Sequence, residues 1–157
     1  MPGLSHKDDY FETPDWVLNV IKIETQLDFN VDGAANYDNK KLPIYIPDDE
    51  YGGALNDEIP ENQFSFYNGA VFINPPRSKN GKFVNKAFQQ WKDHNIDIVM
   101  LLCWNDLGNK YGEKILKEIK TGRISANNLG KIKFYKNGIE SEYPSRLTYF
   151  WAWFKKQ

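Results

Sequence analysis

The stretch VFINPPRSKNGKF, residues 71–83, decides the fold. An apolar run, Val71–Ile73, ends in Asn74, Pro75 and Pro76. Proline lacks a backbone N–H and biases the preceding residue toward an extended shape. A buried strand therefore stops here and leaves as a stiff loop. Helical spacing follows, with Phe83, Ala87, Phe88 and Trp91 on one stripe. Strand, loop and amphipathic helix in that order make one half of a βαβ unit.

Working outward, the same alternation repeats. TPDWVLNVIKIETQ (13–26) reads as a helix start, with Thr13 as N-cap, Pro14 at the first helical position and Asp15 in the first turn. LDFNVDGAA (27–35) alternates Leu27, Phe29 and Val31, then ends in a Gly-Ala turn, a short strand feeding a loop. IDIVMLLCW (96–104) is a continuous apolar run, as in a central parallel strand covered on both faces. GEKILKEIKTG (112–122) is a shorter helix closed by Gly122. KIKFY (131–135) and RLTYFWAWF (146–154) read as late strands around a Lys-Asn-Gly turn. The Trp and Phe cluster at 150–154 has strand alternation and reads as core or sheet face. Residues 36–68 show no clear period. A stretch of that length without structure in a compact domain is commonly functional. The expected architecture is a three-layer α/β fold with a mainly parallel sheet, one domain over 1–157, with 1–9 a flexible N-terminus.

Composition sets the bounds. The 157 residues are 41% hydrophobic, 26% charged and 15% aromatic, which suits one folded domain. Net charge is −1, so any nucleic-acid contact must come from a local patch. Cys103 is the sole cysteine, which excludes an internal disulfide and a cysteine zinc cluster. His6 and His94 have no partner at ligand spacing, so no metal is assigned. No apolar run approaches the roughly 20 residues of a membrane span. The N-terminus lacks the regions of a signal peptide, and the expected location is cytoplasmic.

In open α/β sheets ligands bind beyond the carboxyl ends of the strands. The Asp-Gly-Ala-Ala and Asn-Pro-Pro-Arg segments share that edge if their strands are parallel. Asn74 offers a side-chain oxygen and Pro75 a carbonyl, two acceptors suited to an –NH2 group. Accepting both N–H bonds raises electron density on a poorly nucleophilic aromatic amine and stabilises the charge that grows as it attacks. The plainer alternative is a proline-rich turn that ends a strand.

Taken together, the chain resembles the phage-type, Dam-like DNA N6-adenine methyltransferases. The resemblance rests on YFETPDWVLNVI, FNVDGAANYDNKKLPIYI, VFINPPRS with FVNKAFQQW, and the closing GKIKFYKNG and YPSRLTYFWAWF, in that order from Tyr10 onward. It implies a Rossmann-like methyltransferase fold, S-adenosylmethionine as cofactor and a flipped-out adenine in double-stranded DNA as substrate. Asn74 and Pro75, followed by Pro76 and Arg77, would form the catalytic loop around the adenine amine. Tyr10, Thr13 and Pro14 would lie at the cofactor, the last two near its methionine end, with Asp32, Gly33, Ala34 and Asn74. For Thr13 the plain alternative is a helix cap, and for Asp32 a strand-end turn.

One position departs from the family pattern. Where the family carries an aromatic ring that stacks on the base, this chain has Arg77. A guanidinium plane also stacks on bases. Alternatively Arg77 reaches a phosphate and another ring, such as Phe72 or Trp104, holds the base. Arg77, Lys79, Lys82 and Lys86 form the candidate nucleic-acid face, with Lys82 and Lys86 four apart on one helix side. Sequence reading would fall to residues 36–68, to the 104–112 loop or to a second subunit in a homodimer. Two other classes of function remain open: a catalytically silent, methyltransferase-like nucleic-acid binder, and methyl transfer to RNA adenine or a protein glutamine amide.

Overall fold

A computed structural model describes residues 12–35, 40–47, 53, 55–56 and 58–157. Tyr10, the 1–9 terminus and the acidic run at 48–50 lie outside the described residues. Six strands form one sheet: β1 (Phe29–Ala35), β2 (Ile44–Pro47), β3 (Ala70–Ile73), β4 (Ile98–Cys103), β5 (Ile124–Gly130) and β8 (Tyr149–Phe154). Their order is β2-β1-β3-β4-β8-β5. The first four run parallel. β8 is antiparallel to both β4 and β5, so β5 points the same way as the first four. A separate two-stranded ribbon pairs β6 (Tyr135–Lys136) with β7 (Ile139–Glu140).

The sheet separates two apolar clusters. On one face α2 (Asn80–His94) buries Phe83, Val84, Ala87 and Trp91, and α3 (Lys110–Lys120) buries Ile115. On the other, α1 (Asp15–Thr25) buries Val17, Leu18 and Ile21 beside Ile132 and Phe134. Helices thus cover both faces of a mostly parallel sheet, as the alternation of elements predicts. Among the described residues no helix is long and apolar enough to cross a membrane.

Several expectations are corrected in detail. The Asp-Gly-Ala-Ala segment is not a turn: β1 continues through Ala35. Its register slips against β3 between Phe29 and Val31, and against β2 between Asp32 and Ala35. Each slip adds a residue to β1, which breaks the period of two. Gly33 is required by packing. A Cβ there would lie 2.9 Å from Ile73 Cγ1 and 3.0 Å from both Phe64 Cε1 and Val71 Cγ1. Gly33→Ala is expected to cost about 1–3 kcal/mol by overpacking, read as a lower urea midpoint at unchanged slope.

The 36–68 stretch holds β2 and two short 3₁₀ turns, Pro60–Asn62 and Phe64–Phe66, with Phe64 fully buried. β2 is an edge strand, where Pro47 is tolerated. KIKFY is not a strand of the sheet; its last residue, Tyr135, starts the ribbon strand with Lys136. The ribbon turns at Asn137 (φ 51°) and Gly138 (φ 76°), the left-handed pair of a tight hairpin. The sheet strand in this region is ISANNLG instead. The central run at 98–103 is parallel to β3 on one side only; its other neighbour is the reversed β8.

Candidate functional site

Parallel strands β1, β3 and β4 deliver Ala35, Asn74 and Trp104 to one edge of the sheet. Asp32 sits opposite Phe72 in the β1–β3 register. Asn74 lies two residues beyond Phe72, so Asp32, Phe72 and Asn74 share the α1 face. That is where α1 begins. The Asn74 Nδ2 donates to Thr13 Oγ1 at 2.9 Å. Thr13 is only 3% exposed.

This contact corrects the helix-cap reading. Pro14, extended at φ −61° and ψ 145°, is the N-cap, and Asp15 is the first helical residue. Among the described residues no side chain caps α1. The Thr13 hydroxyl is turned to the Asn-Pro-Pro loop instead. Helix N-termini leave backbone N–H groups unpaired and carry a partial positive charge. The amino end of α1 therefore favours an anion at the same edge.

Asp32 is buried at 4% exposure. Its Oδ2 accepts from the Lys41 backbone N–H at 3.1 Å, and its Oδ1 from Ala34 N–H at 3.5 Å. The Lys41 ammonium reaches Asp15 Oδ1 at 3.2 Å. One residue thus ties the carboxylate of β1 to the start of α1. On the far side, Glu12 pairs with Tyr135 through two backbone bonds, at 2.7 and 3.0 Å. The β6–β7 ribbon becomes a wall of the same edge.

Pro75 and Pro76 are buried, and Arg77–Lys79 forms a 3₁₀ turn leading into α2. The Arg77 guanidinium points inward. Its Nη1 donates to Cys103 Sγ at 2.6 Å and lies 3.5 Å from Asp106 Oδ2. Asn80 Nδ2 donates to the same oxygen at 3.1 Å. Burial pushes the Cys103 thiol up to about 11, against the lowering influence of Arg77. The sulfur is then protonated at neutral pH, so Asp106 is the anion that holds Arg77. Burial alone would lower the guanidinium, but its neighbours outweigh that and keep it above its ordinary value.

The structure separates the remaining candidates. Gly33 and Ala34 sit inside β1 beside Asp32, and Pro14 stands beside Thr13. Lys86 does not share an open face with Lys82. It is 5% exposed, donates to Asn62 O at 2.7 Å and lies 4.8 Å from the Phe64 ring centroid. Its stem crosses the apolar stripe of α2, and it anchors the 60–66 segment. Lys82 is exposed and Lys79 half-buried. Phe72 is fully buried in the sheet and presents no ring at the edge. Trp104 stacks on Phe150 at 4.3 Å, and its Nε1 donates to Asn128 Oδ1 at 2.8 Å. Sequence reasoning missed Asp106, Asn80 and the Glu12–Tyr135 bridge. Only Asp106 carried a signal, as an acid just beyond a central strand. Among the described residues no cluster of His, Cys, Asp or Glu suits a metal.

The fold and this edge define a mixed α/β protein with a polar site at the carboxyl ends of its parallel strands, built around an Asn-Pro-Pro loop. The family model for DNA N-6-adenine-methyltransferase (Dam) matches residues 3–146, and the chain belongs to that family. No curated protein and no solved structure matches it.

Proposed function

We propose that the chain transfers a methyl group from S-adenosylmethionine to the N6 amine of an adenine flipped out of double-stranded DNA, on a Rossmann-like fold. The observation that carries this reading is the Thr13–Asn74 hydrogen bond. It joins the amino end of α1 to the loop whose acceptors suit an aromatic amine. With its Nδ2 engaged by Thr13, the Asn74 amide turns its oxygen to accept. The Pro75 carbonyl supplies the second acceptor. Together they hold the amine lone pair toward the incoming carbon and stabilise its developing charge.

The residues present fit the cofactor. The uncapped start of α1 suits an amino-acid carboxylate. The Asp32 carboxylate suits the ammonium of the same group, with Gly33 and Ala34 shaping the strand beside it. When bound, S-adenosylmethionine supplies an electrophilic methyl group. Lys79 and Lys82, at the start of α2, would meet phosphates. Pro76 fixes the loop that presents Asn74.

Titration calorimetry with S-adenosylmethionine tests the cofactor side. Micromolar binding by the wild type is expected, weakened at least tenfold by Asp32→Ala. A folded protein that binds no cofactor would overturn the reading. Labelled methyl incorporation into DNA, RNA and protein then separates the acceptors.

One observation favours a second reading. At the position where the family resemblance places a ring, Arg77 is drawn into an ion pair with Asp106. A chain that binds DNA but has lost transfer fits that change. Retained DNA binding without cofactor binding is its signature.

A further inference from the structure

We propose that the cleft between Arg77 and residues 141–147 seats a DNA phosphodiester together with the adjoining nucleoside, with Arg77 and Arg146 facing the phosphate and Tyr143 facing the nucleoside. This deepens the DNA reading above and rests on it.

The cleft is built by chain doubling back from the ribbon. The Ser141 N–H donates to Phe134 O and the Ser145 N–H to Ile132 O, both at 2.8 Å. The Ser145 hydroxyl accepts from the Ile132 N–H at 3.0 Å and donates to Leu147 O at 2.7 Å. Ile132 is fully buried and Phe134 is 6% exposed, so this frame is anchored in the core. The turn at 142–144 projects from it, and Tyr143 there is 73% exposed. A tyrosine held out on a pinned backbone loses little further entropy when a planar group stacks on it.

Charge and size choose the ligand. Arg77 and Arg146 line the cleft, and among the described residues no carboxylate does. Asp106 lies behind Arg77 and engages its Nη1, and the guanidinium is a fork of five N–H donors. Glu142, in the same turn, is exposed but does not line the cleft. Phe134 and Tyr149 form an aromatic floor, their rings 5.0 Å apart. The volume is about 210 Å³, below the roughly 300–1,000 Å³ of a whole small-molecule site. A backbone phosphate with a nucleoside lying over the rim matches both the size and the charge. Arg77 belongs to the catalytic loop as well as to the cleft, so a strand seated here runs directly past Asn74.

The test measures binding of a duplex carrying one mismatched, readily unstacked adenine by fluorescence anisotropy across salt concentrations, for wild type, Arg146→Ala and Tyr143→Ala. Both positions are exposed and outside the Asn74 site. Loss of one phosphate contact is expected to flatten the slope of log K against log salt by about 0.9 in Arg146→Ala. Tyr143→Ala is expected to weaken binding roughly tenfold, in line with the worth of base–aromatic stacking, at unchanged slope. S-adenosylmethionine affinity should not move in either variant. Wild-type slope and affinity in both variants, or a wild type that binds no duplex, would overturn the proposal. Cleft-dependent binding by a wild type that transfers no methyl would support the cleft and fail only the catalytic reading.

Discussion

Asn74→Ala is expected to slow methyl transfer by a factor of about 100–1,000, the usual cost of removing one group that stabilises charge in a transition state. Alanine has no oxygen to accept from the amine, leaving only the Pro75 carbonyl. The substitution also frees Thr13 Oγ1, which now accepts from Asn74 at 2.9 Å. That loss costs about 0.5–1.5 kcal/mol of stability, the net worth of an ordinary hydrogen bond, so the protein stays folded. Single-turnover transfer of labelled methyl measures the chemical step apart from binding. A rate within threefold of wild type would remove Asn74 from the mechanism. Asn74→Asp keeps an acceptor but loses the donor to Thr13, so it should retain more of the rate than alanine does.

Asp106→Ala carries the largest expected effect on stability. The Arg77 and Asp106 side chains are only 13% and 8% exposed. Removing the carboxylate leaves a guanidinium buried against a neutral thiol, and Asn80 loses its acceptor. Breaking a buried pair on one side typically costs about 3–5 kcal/mol. Urea unfolding should show that loss as a lower midpoint. Asp106→Asn keeps an acceptor for Asn80 and should lose clearly less than alanine. An alanine variant as stable as wild type would mean that Arg77 is held by something other than this pair. Arg77 then would not be fixed where it stands in the Asn-Pro-Pro loop.

The parts legible in the sequence are those where one local signal dominates. The 98–103 run is apolar throughout and became the central strand; Asn-Pro-Pro ended β3 where two prolines had to end it. Gly122, at φ 79°, closes α3 with its N–H on Ile119 O, as its place after a helical stripe predicts. The misses have physical causes. β5 is a sheet edge rich in Ser and Asn, with little burial to print a pattern. β1 loses its alternation to two slips in register. Lys86 sits on a helix face that its charge argues against, and partners distant in sequence, the Asn62 carbonyl and the Phe64 ring, explain it. At the candidate site, Asn74, Thr13 and Asp32, which the structure brings to one edge of the sheet, could be named from short motifs. That Asp106 holds Arg77 depends on two loops meeting across 29 residues (106 − 77), which no local spacing reveals.

The strand order bears on how the molecule is made. β8, last of the strands in the sequence, lies between β4 and β5 and is, among the described residues, the only strand that β5 pairs with. While the chain emerges from a ribosome, β4 waits with one side unpaired and its apolar residues uncovered. β5 cannot dock until 149–154 arrives. The candidate-site edge, formed by earlier strands, can gather before the sheet is sealed. Unpaired strand edges are where growing chains aggregate, so the β4 edge is the part of this sheet most exposed to misassociation until 149–154 docks on it.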